Sequence, residues 1–196
     1  MPGQDDTHVT NEPWIAVEQT LRAGLQHVFH ALAGRTALPE AALRRRSSLN
    51  AWSALETLEH VALTDRYLLL LASKIAERAL ARATRGERWP VHGPRLEHLQ
   101  HLAGRGLEWS APAHMIPSGN WSPAEVGAQL TEDLRSALGL LDAAPGGVGT
   151  LHRIRMSVVG GDDDRLDLYQ YLEVVRLHAL RHLAQVDRAL AAAARG

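Results

Sequence analysis

The segment Leu177-His178-Ala179-Leu180-Arg181-His182-Leu183-Ala184-Gln185 sets two histidines four residues apart within a strongly periodic run. On an α-helix, positions four apart lie about 40° out of line and about 6 Å apart along the axis, so both imidazoles can converge on one point. Outward from this segment, Leu168, Tyr171, Leu172, Val175, Val186 and Leu190 recur at helical spacing, and His178 and His182 share their stripe. Both histidines therefore face inward. An inward imidazole loses its hydration, so it must be hydrogen-bonded, stacked or bound to a metal. On this pair alone two readings stand: polar residues satisfied inside a core, or two ligands of a metal clip. A third inward histidine on another helix separates them.

Composition narrows the chemistry. With 196 residues the chain suffices for one domain with a proper core, expected over 12–194 behind a polar, disordered leader at 1–11. Lys and Arg (21) balance Asp and Glu (22), so no broad positive field marks a nucleic-acid or membrane-surface protein. No apolar run reaches spanning length and the first residues lack the pattern of a signal peptide, so the expected location is cytoplasmic. The absence of cysteine removes disulfides, thiolate ligands and cysteine nucleophiles together. Any metal must be held by histidine and carboxylate.

Four long helical patterns follow in order. The first runs over about 12–33, with Pro13 in its first turn, Trp14, Val17, Leu21, Leu25, Val28, Phe29 and Leu32 facing in, and Gly34 as its expected cap. His27 and His30 fall beside that stripe and are expected to be partly exposed polar residues. The connection that follows carries Arg44-Arg45-Arg46, a run expected to be solvated unless it faces a pocket mouth. Trp52-Ser53-Ala54-Leu55-Glu56 opens the second helix, about 53–83, with Ser53 as cap and Glu56 completing a capping box. Trp121-Ser122-Pro123-Ala124-Glu125 opens the third, about 122–141, in the same way. Acids at Asp162-Asp163-Asp164 are expected to cap the fourth, about 165–192.

His60 lies two turns into the second helix, on a strip with Glu56, Thr64 and Tyr67 that is more polar than a core face. By itself it reads as a boundary residue paired with Glu56. If the second and fourth helices pack side by side, it can also meet His178 and His182. Between the second and third helices, residues 84–120 form a long crossover rich in Gly and Pro, with a short helix expected from about Pro94 to Ala103. Trp89 and Trp109 lie in it, and its histidines, His92, His98, His101 and His114, are expected to be solvated. The architecture expected is all-α, a four-helix bundle with a long crossover between helices two and three.

Several chemistries are excluded by motif. There is no His-Glu-x-x-His, no paired Glu-x-x-His, no glycine-rich phosphate loop and no Gly-x-Ser-x-Gly elbow. What remains is His60 with the His178/His182 pair. Three neutral imidazoles leave at least one coordination position open, as catalytic sites do. Glu56 and Gln185 are candidates to orient the ligands, against the plainer roles of helix cap and solvated residue.

Trp52-Ser53 with Glu56, Leu58 and His60, followed by Gly119-Asn120-Trp121-Ser122 and by His178-x-x-x-His182-x-x-Gln185, resembles the DinB/YfiT-like superfamily of bacterial four-helix bundles over nearly the whole chain. The resemblance implies a divalent ion, zinc or nickel first among the choices, on His60, His178 and His182, and a homodimer. It also implies a small-molecule substrate and, in some relatives, S-transfer with a low-molecular-weight thiol such as mycothiol, bacillithiol or glutathione. No residue here matches a thiol-binding site. Three functions stay open: a metal-dependent transferase or hydrolase, a non-catalytic metal-stabilised binding or stress-response module, and a metal-free bundle with histidines as core polar groups.

Overall fold

The structure is a computed structural model that describes residues 12–91, 93, 96–104, 111–156 and 164–194. The leader at 1–11, His92, Pro94, Trp109, Asp162 and Asp163, on which expectations were placed, lie outside the described residues. The chain is predominantly helical, of the all-α class. Its α-helices are α1 (Glu12–Arg35), α2 (Glu40–Arg44), α3 (Ala54–Thr84), α4 (Pro123–Ala143) and α5 (Leu168–Ala193). Single turns of 3-10 helix occur at Ala113–Met115 and Val148–Leu151, and a longer one at Glu97–Ala103. Ile154–Arg155 (β1) and Arg165–Leu166 (β2) pair antiparallel.

The four long helices form where apolar spacing demands them, and α1 and α3 each pack against both α4 and α5. Their inward stripes meet in one core that includes Trp14, Leu25, Phe29, Leu58, Leu130 and Tyr171. Residues on the opposite faces, His27 and His30 among them, are exposed.

Helix starts follow the capping chemistry. Ser53 accepts from the Glu56 amide at 3.2 Å while the Glu56 carboxylate accepts from the Ser53 amide at 2.8 Å. Ser122 and Glu125 repeat the exchange. Ser53→Ala and Ser122→Ala are each expected to lower stability by about 1 kcal/mol. Urea titrations of the two variants check this, and unchanged midpoints would refute it.

Three boundaries depart from the sequence reading. Gly34 is not the cap of α1; the helix runs on to Arg35, and Gly34 is not among the residues of positive φ. The fourth helix begins at Leu168, not Arg165, because Asp167 and Gln170 form its capping box and residues 165–166 are drawn into the strand pair. Asp164 instead binds Arg155. The short helix of the crossover is a 3-10 helix that begins at Glu97.

The run Arg44-Arg45-Arg46 is tied down. Arg44 donates to the carbonyls of Gly119 and Trp121, Arg45 to that of Ala193, and Arg46 pairs with Glu56. These contacts fasten the α1–α3 connection to the end of the crossover and to the end of α5. The other end of the crossover is pinned near α1, where Trp14 Nε1 donates to Pro90 O and Trp89 Nε1 to Gly146 O. Gly147 sits between those indoles at φ 97°, and a Cβ there would come within 2.5 Å of Trp14.

Candidate metal centre

The centre is built on α3 and α5, which pack along each other. His60 comes from the second turn of α3, and His178 and His182 come from adjacent turns of α5. All three are buried. Their ring centroids lie 5.5 Å (His60–His178), 4.8 Å (His60–His182) and 4.5 Å (His178–His182) apart. One ring nitrogen from each lies within 4.8 Å of one from each of the others.

The Nδ1 atoms are all engaged, each by an acceptor of a different kind. His178 Nδ1 donates to Asp65 Oδ1 at 2.8 Å, His60 Nδ1 to the Met115 carbonyl at 2.7 Å, and His182 Nδ1 to Gln185 Oε1 at 3.0 Å. An imidazole that donates through Nδ1 keeps its lone pair on Nε2, so three Nε2 donors are set toward one place. Acceptors behind the ring also fix its rotation and raise its basicity as a ligand.

His60 and His182 are neutral at ordinary pH. Burial, and then the nearby His178, hold His60 down to about 4, although the Met115 carbonyl pulls the other way. Burial first, and then His178 and His60, bring His182 to about 2. Neutral imidazoles are what a cation requires. Burial pushes Asp65 above the usual carboxylate range, with His178 opposing it. Asp65 Oδ2 has no hydrogen-bond partner among the described residues. A fully buried carboxylate with one orphan oxygen, behind the His178 ring, calls for positive charge on the far side of that ring. A divalent ion on the three Nε2 atoms supplies it, so the residues present fit such an ion.

Sequence reasoning placed the three histidines and missed the residues behind them. Asp65 is five positions after His60, an acid at helical spacing from Leu58, Val61, Ala62, Leu69 and Ala72, and that place on an apolar stripe was the signal available. Glu59 was also missed. It is buried and accepts from Ser118 N (2.7 Å), Ser118 Oγ (2.7 Å) and Gly119 N (2.9 Å), which holds the crossover so that Met115 reaches His60. Of the two orienting candidates, Gln185 bonds one of the three histidines, His182, and Glu56 bonds none: its carboxylate is occupied by Ser53 and Arg46. Trp52, beyond its place before the cap, packs against His60 in a tilted arrangement with centroids 5.0 Å apart. Of the crossover histidines, His98, His101 and His114 are exposed, His114 against Tyr67.

The three rings open on a cavity of about 440 Å³. Its wall is mostly apolar, with Arg155, Arg181 and Gln185 as the polar exceptions besides Thr64, the tyrosines and the histidines.

A sequence model of the DinB superfamily matches residues 20–186, from within α1 to the last turns of α5, with all three histidines inside the match. The chain belongs to that superfamily. No curated protein and no solved structure matches it. Superfamily membership and the donor set agree on the same kind of site: a buried three-histidine group compatible with metal binding. No helix is long and apolar enough to cross a membrane among the described residues.

Proposed function

We propose that this DinB-superfamily protein is a four-helix bundle, with the long crossover between α3 and α4, that holds one divalent ion on His60, His178 and His182 and acts on a small molecule in the adjoining cavity. The single observation that carries the reading is the set of three buried imidazoles whose Nδ1 atoms are each held from behind, at the wall of a cavity of about 440 Å³. A closed structural site would need no cavity on its open side. When bound, the ion supplies Lewis acidity toward a ligand in its remaining position. Zinc or nickel is the ion proposed, since imidazole donors without thiolate suit either.

The chain's own side chains do the holding. Asp65, the Met115 carbonyl and Gln185 orient the rings, while Trp52 and Met115 keep water from one side of them. No cysteine or serine lines the cavity among the described residues, and burial raises Tyr171 far above neutrality. Thr64 and Tyr67 add only unactivated hydroxyls to the wall, with no Asp or Glu lining the cavity among the described residues to act as their base, so the nucleophile proposed for any transfer is a second small molecule. Water makes the protein a hydrolase and a low-molecular-weight thiol makes it an S-transferase; both belong to the proposal. So do a single domain over 12–194, a homodimeric state and a cytoplasmic location.

Elemental analysis of protein purified without an immobilised-metal column tests the reading. One equivalent of metal per chain is expected, removable by chelator and restored by zinc or nickel. Near-zero occupancy that added metal cannot restore would overturn it. Metal that raises the melting temperature but supports no turnover of electrophilic or hydrolysable probes, with or without thiol, would leave the non-catalytic module instead.

A further inference from the structure

The cavity wall carries a charge pattern of its own. Leu68, Leu71, Met115, Met156, Tyr171 and Val174 form its apolar surface. The charged side chains in it are Arg155 and Arg181, and no Asp or Glu lines it among the described residues. Arg181 precedes His182 on α5 and is half-buried, and Arg155 stands on β1 with its side chain largely exposed. Asp164 pairs with Arg155 through Nε but is not part of the wall, and a guanidinium has five donors. Asp65, the acid nearest the rings, stands behind His178 and likewise does not line the cavity.

We propose that the cavity takes an amphipathic anion: a molecule with an apolar body packed on that wall and a carboxylate bound by Arg181 and Arg155. The inference rests on reading the cavity as the substrate site of a metal-dependent enzyme, and it adds the class of substrate. A volume of about 440 Å³ admits a body of roughly phenylalkyl size. Arginine presents a planar fork that matches a carboxylate with two parallel bonds, and partial exclusion of water strengthens them. A cationic ligand meets two guanidinium groups, and no Asp or Glu lines the cavity among the described residues. A neutral amide gains the apolar contact without the charge-assisted bonds.

The test compares 4-phenylbutyrate, 4-phenylbutyramide and 4-phenylbutylammonium by calorimetry on the full chain stripped of metal, so that selectivity reports on the arginines alone. The carboxylate is expected to bind about tenfold or more tighter than the amide, and the ammonium not to bind. Arg181→Gln and Arg155→Gln should each weaken the carboxylate by several-fold while leaving the amide unchanged, which also shows that the cavity is intact. Arg181→Lys, which keeps the charge, should retain part of the preference. Equal binding of carboxylate and amide, a preference that survives both Gln variants, or no binding by any probe overturns the inference. Zinc titration of the same samples keeps the two readings apart: zinc binding without carboxylate preference overturns the substrate class alone, and carboxylate preference without zinc binding overturns the metal reading alone.

Discussion

His182→Ala is expected to weaken metal binding by about a hundredfold or more while leaving the helical content unchanged. A structural zinc site is worth about 10–16 kcal/mol over four ligands, so one imidazole accounts for roughly 3 kcal/mol, and each 1.4 kcal/mol is a factor of ten. His182 lies at the cavity wall and has 9% of its surface exposed, so its removal opens space toward the cavity rather than a void deep in the core. Asp65→Asn makes the comparison. The amide oxygen can still accept from His178 Nδ1, but the negative charge is gone, and a loss of about 10- to 100-fold is expected. Competition titration against a chromophoric chelator ranks the two. Wild-type affinity in His182→Ala would mean that the ion, if bound, sits elsewhere.

Asp133→Asn is expected to stabilise the protein above neutral pH and to make little difference near pH 4. Asp133 is 2% exposed on α4, accepts from Gln129 at 2.8 Å through Oδ1, and has no partner for Oδ2 among the described residues. Burial pushes it up to about 7, Gln129 opposing and Asp65 adding to the rise. The sign follows from linkage. In the window between the ordinary value of 3.8 and about 7, the folded chain keeps a proton that the unfolded chain releases. The stability due to that proton is complete below 3.8 and is lost as pH rises through about 7. The variant has no proton to lose, so its advantage over wild type grows across the window by on the order of 4 kcal/mol. Asn also preserves the acceptor for Gln129. His60 and His182, whose values are lowered, shift stability in the opposite sense, and they cancel when variant and wild type are compared at each pH. Urea titrations at pH 4, 6 and 8 measure the difference; a constant gap between the two proteins would exclude the protonated Asp133.

Much of the site was legible because helical period converts sequence spacing into direction. His178 and His182 belong to a stripe defined by Leu172, Val175 and Val186, so their inward aim followed from the residues around them, and all five are buried. His60 was open to two readings. Its neighbours on the helix, Glu56 and Thr64, suit a boundary residue as well as a ligand, and only the packing of α3 on α5 places its ring 4.8 Å from that of His182. Glu56 shows the limit from the other side. The capping box accounts for one use of its carboxylate, whereas the bond from Arg46 depends on how the connection folds back.

The sequence by itself determined the helices, their capped starts at Ser53 and Ser122, their buried faces and the inward pairing of His178 with His182, because each depends on residues within a few positions of one another. Only the tertiary structure decided that three rings from two helices share one cavity, that Asp65 stands behind His178 across 113 residues, and that Met115 reaches His60 from the crossover across 55. Local interactions set the direction in which a side chain leaves its own helix. What it meets there is set by the burial of all the stripes together, a property of the packed chain and of no single segment.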